Sequence, residues 1–207
     1  ALLSQPSSSI EYLGMNTTKE KFSDERVRQA INYALDKQTF VDTIVEGRGI
    51  VANSYINSTI PGWSEEEEAY PYDPEKAKQL FDEAMAEEGL DKLTLTLHYS
   101  DTELMAQMSE FLQQSWPKVF GADRFELKLQ AMPANQLSQV KRGWKTNPAS
   151  YELSWGGWVG NDLSPWNSFK YWTSYYSNKN EPYLNEEFDK VFNEANFGEN
   201  RFDDGVR

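Results

Sequence analysis

Between Leu93 and Ala131 the chain switches from one periodicity to another and back, and nothing else in it restricts the fold as tightly. Leu93, Leu95, Leu97 and Tyr99 alternate with Thr94, Thr96 and His98, the period of two that buries one side of a strand. Leu104, Met108, Phe111 and Leu112 then recur at helical spacing. Pro117, which lacks a donor and crowds the preceding turn, is expected to halt that helix. Phe125, Leu127, Leu129 and Ala131 alternate with Glu126, Lys128 and Gln130, a second strand. The intervening helix is long enough to cross the sheet, so the two strands are expected to be parallel and the crossover right-handed.

The flanking elements follow from the same periods. Ile10 to Met15 can form a short strand, and Ser23 is placed to cap a helix. In that helix Val27, Ala30, Ile31, Ala34, Leu35, Val41, Ile44 and Val45 form an apolar stripe, with a break near Asp36-Lys37. Asp73-Pro74 opens a second helix, where the acid caps and the proline's missing N–H is not needed. Its stripe is Ala77, Leu80, Phe81, Ala84 and Met85, and Gly89 ends it. After Met132-Pro133 a short helix carries Leu137 and Val140; Tyr151 to Trp155 is a third strand; Asn185 caps a last helix with Phe188, Val191, Phe192 and Ala195. Without repeats or an internal boundary, the 207 residues are expected to form a single α/β lobe, a central mixed, mostly parallel sheet flanked by helices.

Charge and residue usage narrow the function. The net charge of −13, from 33 acids against 20 bases, opposes a phosphate-tracking surface, so no nucleic-acid partner is expected. No apolar run approaches the roughly 20 residues that span a bilayer, and ALLSQPSSS at the start has no targeting character. There is no cysteine, hence no disulfide, thiolate site or cysteine nucleophile, and the lone His98 cannot build a multi-histidine zinc site. The acidic run Ser64 to Glu68 lacks calcium-loop spacing and is expected to be a solvated loop. No metal or cofactor is expected. His98 is expected on the polar side of its strand as a solvated or capped imidazole, and Arg26 and Arg28 at the surface or in ion pairs within the lobe rather than at the ligand.

From Ser154 to Tyr176 the sequence SWGGWVGNDLSPWNSFKYWTSYY holds four of the seven tryptophans. The rings of Trp155, Trp158, Trp166, Phe169 and Trp172 stand beside flexible backbone at Gly156 and Gly157, which allows close approach of a guest. Composition leaves two readings open: a ligand surface, or a satellite core under a long loop. The bend follows the third strand at its C-terminal end, where open α/β sheets keep ligands. A glycosidase would need Glu152 and Asp162 about 5–10 Å apart across a sugar, and no catalytic constellation is otherwise assembled. An oligosaccharide stacking on the rings is a further alternative.

Phe22 to Lys37 reads FSDERVRQAINYALDK, Tyr72 to Leu80 reads YDPEKAKQL, and Gly157 to Pro165 reads GWVGNDLSP. In order and separation these three segments resemble the extracytoplasmic oligopeptide/dipeptide-binding proteins of ABC importers, solute-binding protein family 5. The resemblance implies a type II periplasmic-binding-protein-like lobe. Because such proteins are more than twice as long, it also implies that residues 1–207 are most of a C-terminal lobe, truncated at both ends. It further implies a non-enzymatic, monomeric clamp without cofactor. Such a clamp grips an oligopeptide main chain as an added strand, together with the N-terminal lobe of the same protein. It would deliver cargo to membrane permease subunits from the periplasm or from a lipid anchor at the outer face of the membrane. The implied ligand-binding residues are Trp155, Gly157, Trp158, Asn161 and Asp162. In the family an acid three positions after the tryptophan binds the peptide α-ammonium. Here that position is Asn161, with Asp162 one later, and Ser164 replaces the acid before Pro165. An amide carries no charge, and losing a charge-assisted hydrogen bond costs about 1.5–3 kcal/mol. Either Asp162 turns in, or the ligand presents no free amine there.

Overall fold

Both strands of the central unit form where the alternation requires. In a computed structural model that describes residues 7–64, 69–147, 150–159, 163–176 and 182–199, β2 is Leu93–Ser100, β3 is Phe125–Met132, and they pair in parallel from Leu93–Phe125 to Ser100–Met132. The helix that joins them, Glu103–Phe120, does not stop at Pro117 but runs one turn further. A proline so near the C-terminus gives up one hydrogen bond, and its carbonyl still accepts from Gly121 N–H, which closes the turn.

In chain order the elements are β1 (Ser9–Met15), α1 (Glu25–Tyr33), α2 (Lys37–Thr43), α3 (Pro74–Glu88), β2, α4 (Glu103–Phe120), β3, α5 (Ala134–Arg142), β4 (Leu153–Val159), α6 (Pro165–Phe169) and α7 (Glu186–Phe197). The sheet order is β1-β4-β2-β3, with β1 antiparallel to β4 and β4 parallel to β2. The sheet is therefore mixed and mostly parallel.

Most helix boundaries follow the capping residues. Asp73 accepts from Lys76 N–H, Asn185 accepts from Phe188 N–H, and Gly89 closes α3 at φ 64°, a left-handed conformation that favours glycine. The cap of α1 is Asp24 rather than Ser23: its carboxylate accepts from Arg26 N–H, while Ser23 Oγ donates to Glu20 carbonyl. The expected break near Asp36 separates α1 from α2, and Asp36 caps α2 through Thr39 N–H. Arg26 bridges Asp24 and Glu87, tying α1 to α3, and Arg28 donates to the carbonyls of Phe22 and Ser23.

One face of the sheet carries the core. Leu95, Leu97, Leu127 and Leu153 are buried against Leu112, Trp116 and Phe120 of α4, with the ring of Phe81 of α3 tilted against Phe120 at 4.7 Å. His98, expected as a solvated or capped imidazole, is buried and capped: desolvation lowers its pKa below the ordinary value, and hydrogen bonds with the Leu153 backbone and the Gln130 side chain oppose that shift. It lies in the middle of the sheet, where Gln130 of β3 and Ser154 of β4 flank it in register.

The third strand starts later and runs further than Tyr151 to Trp155. Glu152 is not in the ladder; its carboxylate accepts from Thr96 N–H at 2.7 Å and from Lys21 Nζ at 2.6 Å, and Lys21 also donates to Thr94 carbonyl. These two side chains extend the edge hydrogen bonding of β2 below the point where β4 begins. Buried Asn16 anchors the same corner, with Nδ2 donating to Tyr151 carbonyl and Oδ1 accepting from Thr18 N–H and Oγ1.

Candidate functional site at the opening between two parallel strands

The chain leaves β2 through α4 for β3 on one side, then returns through α5 to β4 on the other side of β2. That reversal makes the C-terminal ends of β2 and β4 a topological switch point, the usual place for a ligand crevice in an open α/β sheet. The two strands are in register only at Leu97–Leu153 and His98–Ser154. Beyond it they part, and the buried Lys141 of α5 sends its ammonium to Trp155 carbonyl at 3.4 Å.

From the side of β1, two side chains cross β4 over its glycines, one on each face of the sheet. Tyr12 lies opposite Gly156 and Glu11 opposite Gly157. A Cβ at 156 would stand 2.7 Å from the Tyr12 ring, and one at 157 would stand 2.5 Å from a Glu11 carboxylate oxygen. Glycine is required at 156 because the Tyr12 ring crosses the strand directly over it, whereas at 157 the neighbour is the tip of the flexible Glu11 side chain, which can turn away. The Lys141 ammonium is 5.9 Å from the Tyr12 ring centroid. Glu11 is exposed at the rim of the sheet; the part of its carboxylate that lies against β4 is shielded from water, which raises its carboxyl pKa above the ordinary value, and the positive charge of Lys141 opposes that shift. Neither Glu11 nor Lys141 stands out in sequence; register and packing alone bring them together.

A raised carboxyl pKa means that the folded chain binds this proton more tightly than the unfolded chain, so stability falls as pH rises through the window above 4.5. Glu11→Gln is therefore expected to raise Tm at pH 7 by no more than a few degrees, and to leave it unchanged at pH 4, where glutamate is largely protonated in both states. Thermal melts at the two pH values check this; a lowered Tm at pH 7 contradicts it.

The tryptophans divide between two faces. Along β4, residues 153, 155, 157 and 159 point one way and 154, 156 and 158 the other. Trp155 faces the helices: it is 8% exposed, its indole N–H donates to Ser109 Oγ at 2.9 Å, and Phe40 lies 6.1 Å from its ring. It is a core residue and does not share a wall with Trp158. The latter is half-buried on the opposite face, 6.4 Å from Tyr55. There Tyr55 also meets Tyr12 at 5.6 Å, Phe169 at 6.1 Å and Trp172 at 5.1 Å, mostly edge to face. The ring-rich bend thus folds back as a satellite core over this face, and its outer members remain reachable. Trp166 is 39% exposed, with Lys170 4.4 Å above its ring, and Val159 is 69% exposed. Gly157 is in the strand and not in a turn after it. Asn161 and Asp162 lie outside the described residues, as does the acidic run at 65–68. Glu152, engaged by Thr96 and Lys21, is committed to the sheet edge.

Among the described residues, no group of three or more His, Asp or Glu side chains is placed to hold a metal ion, and no helix is long and apolar enough to cross a membrane. The model of the family of bacterial extracellular solute-binding proteins, family 5, middle region, matches residues 2–180. The chain belongs to this family. It is 31% identical over 214 aligned residues to heme-binding protein A of Haemophilus influenzae, an alignment that covers 94% of this chain and 35% of that protein. It is 33% identical over 120 residues to the dipeptide-binding protein of Escherichia coli, covering 57% of this chain and 22% of that one. OppA of Listeria monocytogenes, solved bound to peptide, has the same fold over 90% of this chain and 38% of its own, with a TM-score of 0.80 and 24% identity. The chain spans less than two fifths of these relatives' lengths.

Proposed function

We propose that this chain is a lobe of the peptide-binding component of an ABC-type importer, a non-catalytic receptor that captures peptides outside the cytoplasm. A second lobe of the same protein would close over the cargo, and permease subunits would receive it. Membership of family 5 supports the solute-binding role, and the names of the dipeptide-binding relative and of peptide-bound OppA support the ligand class. The observation that carries the reading is the switch point between β2 and β4, with the half-buried indole of Trp158 on the strand that leaves it. Gly157, Trp158, Asn161 and Asp162 are assigned to ligand contact on this reading, and Trp155 supports them from the core.

Short peptides added to the intact receptor are expected to raise its melting temperature in a thermal-shift panel. Trp158→Ala is expected to weaken peptide affinity at least tenfold, about 1.4 kcal/mol, by calorimetry. Unchanged affinity removes Trp158 from the site, and stabilisation by oligosaccharides but not by peptides replaces the ligand class.

A further inference from the structure

We infer that the outer edge of β3 is a pairing surface for β3 of a second copy of this chain, which joins two four-stranded sheets into one across a two-fold axis. The inference is independent of the ligand reading, and it replaces the monomer that the family resemblance implies.

β3 ends the sheet, with β2 on one side and, among the described residues, no strand on the other. Leu93 N–H donates to Arg124 carbonyl, so the even positions of β3 turn their backbone groups toward β2 and the odd positions turn theirs outward. Two outward groups are satisfied locally: Phe125 N–H donates to Gly121 carbonyl, and Leu127 carbonyl accepts from the Gln113 side chain at 2.8 Å. Among the described residues, the N–H of Leu127 and both backbone groups of Leu129 have no partner. They border a groove of about 690 Å³ lined by Gln113 and Pro117 of α4 together with Ala122, Phe125, Leu127 and Leu129. An open edge beside a largely apolar groove is a template for another strand.

The charges say which strand. Glu126 and Lys128 stand on the polar face of β3, and Lys128 is exposed. Antiparallel pairing of two β3 edges about Leu127 sets Glu126 of each copy opposite Lys128 of the other, and on the opposite face sets Phe125 against Leu129. The contact is self-complementary, as a two-fold axis demands. Sliding one strand by two residues sets Lys128 against Lys128 in one direction and Glu126 against Glu126 in the other, and like charges directly opposite are unfavourable. Lys92 and Thr94 both bind Oε2 of Glu126, which leaves Oε1 for the incoming ammonium. Leu127 carbonyl keeps a second lone pair beside its bond to Gln113. The net charge of −13 opposes association, but physiological salt screens it beyond about 8 Å, whereas the facing pairs are in contact. β3 lies on the far side of β2 from β4, so the pairing leaves the candidate ligand site of each copy open.

Sedimentation velocity of the intact receptor over a concentration series tests this. Wild type is expected to pass from monomer to dimer as concentration rises. Lys128→Glu and Glu126→Lys are each expected to weaken the dimer at least about tenfold, because each sets like charges opposite one another twice. Mixing the two variants is expected to restore association, since every facing pair is then opposite in charge, a result that misfolding cannot produce. In hydrogen exchange the amides of Leu127 and Leu129 are expected to slow as concentration rises. A wild type that stays monomeric at every concentration, a dimer that the charge changes leave intact, or a mixture that does not associate overturns the inference. Slow exchange at those two amides in a monomer also overturns it, by showing that another segment of the receptor covers the edge.

Discussion

Replacing Trp155 by alanine is expected to destabilise the lobe by about 3–5 kcal/mol, the usual cost of removing a large buried ring. The indole is 8% exposed, and its N–H is satisfied by Ser109 Oγ, which in turn donates to Met105 carbonyl. Alanine leaves a cavity bordered by Phe40 and α4 and removes the donor that the wholly buried Ser109 hydroxyl accepts from, while its own bond to Met105 carbonyl stays. Urea denaturation followed by tryptophan fluorescence measures the change as a fall in midpoint at unchanged slope. Trp155→Phe keeps most of the volume and loses the hydrogen bond, so it is expected to recover more than half of the stability. A loss below about 1 kcal/mol for Trp155→Ala is incompatible with a core position. The same variant separates structure from binding, because a ligand-lining indole would cost affinity and leave the midpoint in place.

Gly156→Val is expected to destabilise by about 1–3 kcal/mol through overpacking, and to loosen the aromatic cluster with it. A Cβ at 156 meets two Tyr12 ring carbons at 2.7 Å. The ring has little room to retreat, since Tyr55 and Trp172 stand 5.6 and 5.7 Å from its centroid. Near-ultraviolet circular dichroism is expected to lose intensity along with the denaturation midpoint, as several ring pairs share Tyr55 and Trp172. Combining Gly156→Val with Tyr12→Ala is expected to cost less than the sum of the two single changes, because the clash exists only while both side chains are present. Strict additivity contradicts the close approach. Gly157→Ala differs in kind: its Cβ meets the tip of a flexible glutamate, which turns away at little cost to stability.

The contrast between Trp155 and Trp158 explains how much of the site was legible beforehand. The sequence offers both indoles for one wall, because a strand ending at Trp155 leaves Trp158 free in a turn. Once β4 continues to Val159, a spacing of three residues in a period of two puts them on opposite faces. The run of Gly156 and Gly157 suggested a turn for good local reasons, since glycine weakens a strand interior. Its actual role is to admit Tyr12 and Glu11, which only the β1–β4 register reveals. Pro117 marks the end of α4 to within a turn: its local effect is real, and it costs one hydrogen bond while the helix runs on to Phe120.

What the sequence determined by itself is everything that depends on neighbours within a few positions. The alternation at 93–99 and 125–131, the caps at Asp73 and Asn185, the αL glycine at 89 and the three family segments all act through local periodicity, hydrogen bonding or backbone geometry. They sufficed for the βαβ unit, for a mixed sheet flanked by helices and for membership of family 5. Tertiary structure alone decided which face each ring occupies, that Glu152 extends the edge of β2, and that Glu11 and Lys141 meet beside the opening. Those outcomes depend on pairing between segments far apart in the chain. Register across a sheet is set by the sum of all the buried contacts, and no short stretch of residues carries that information.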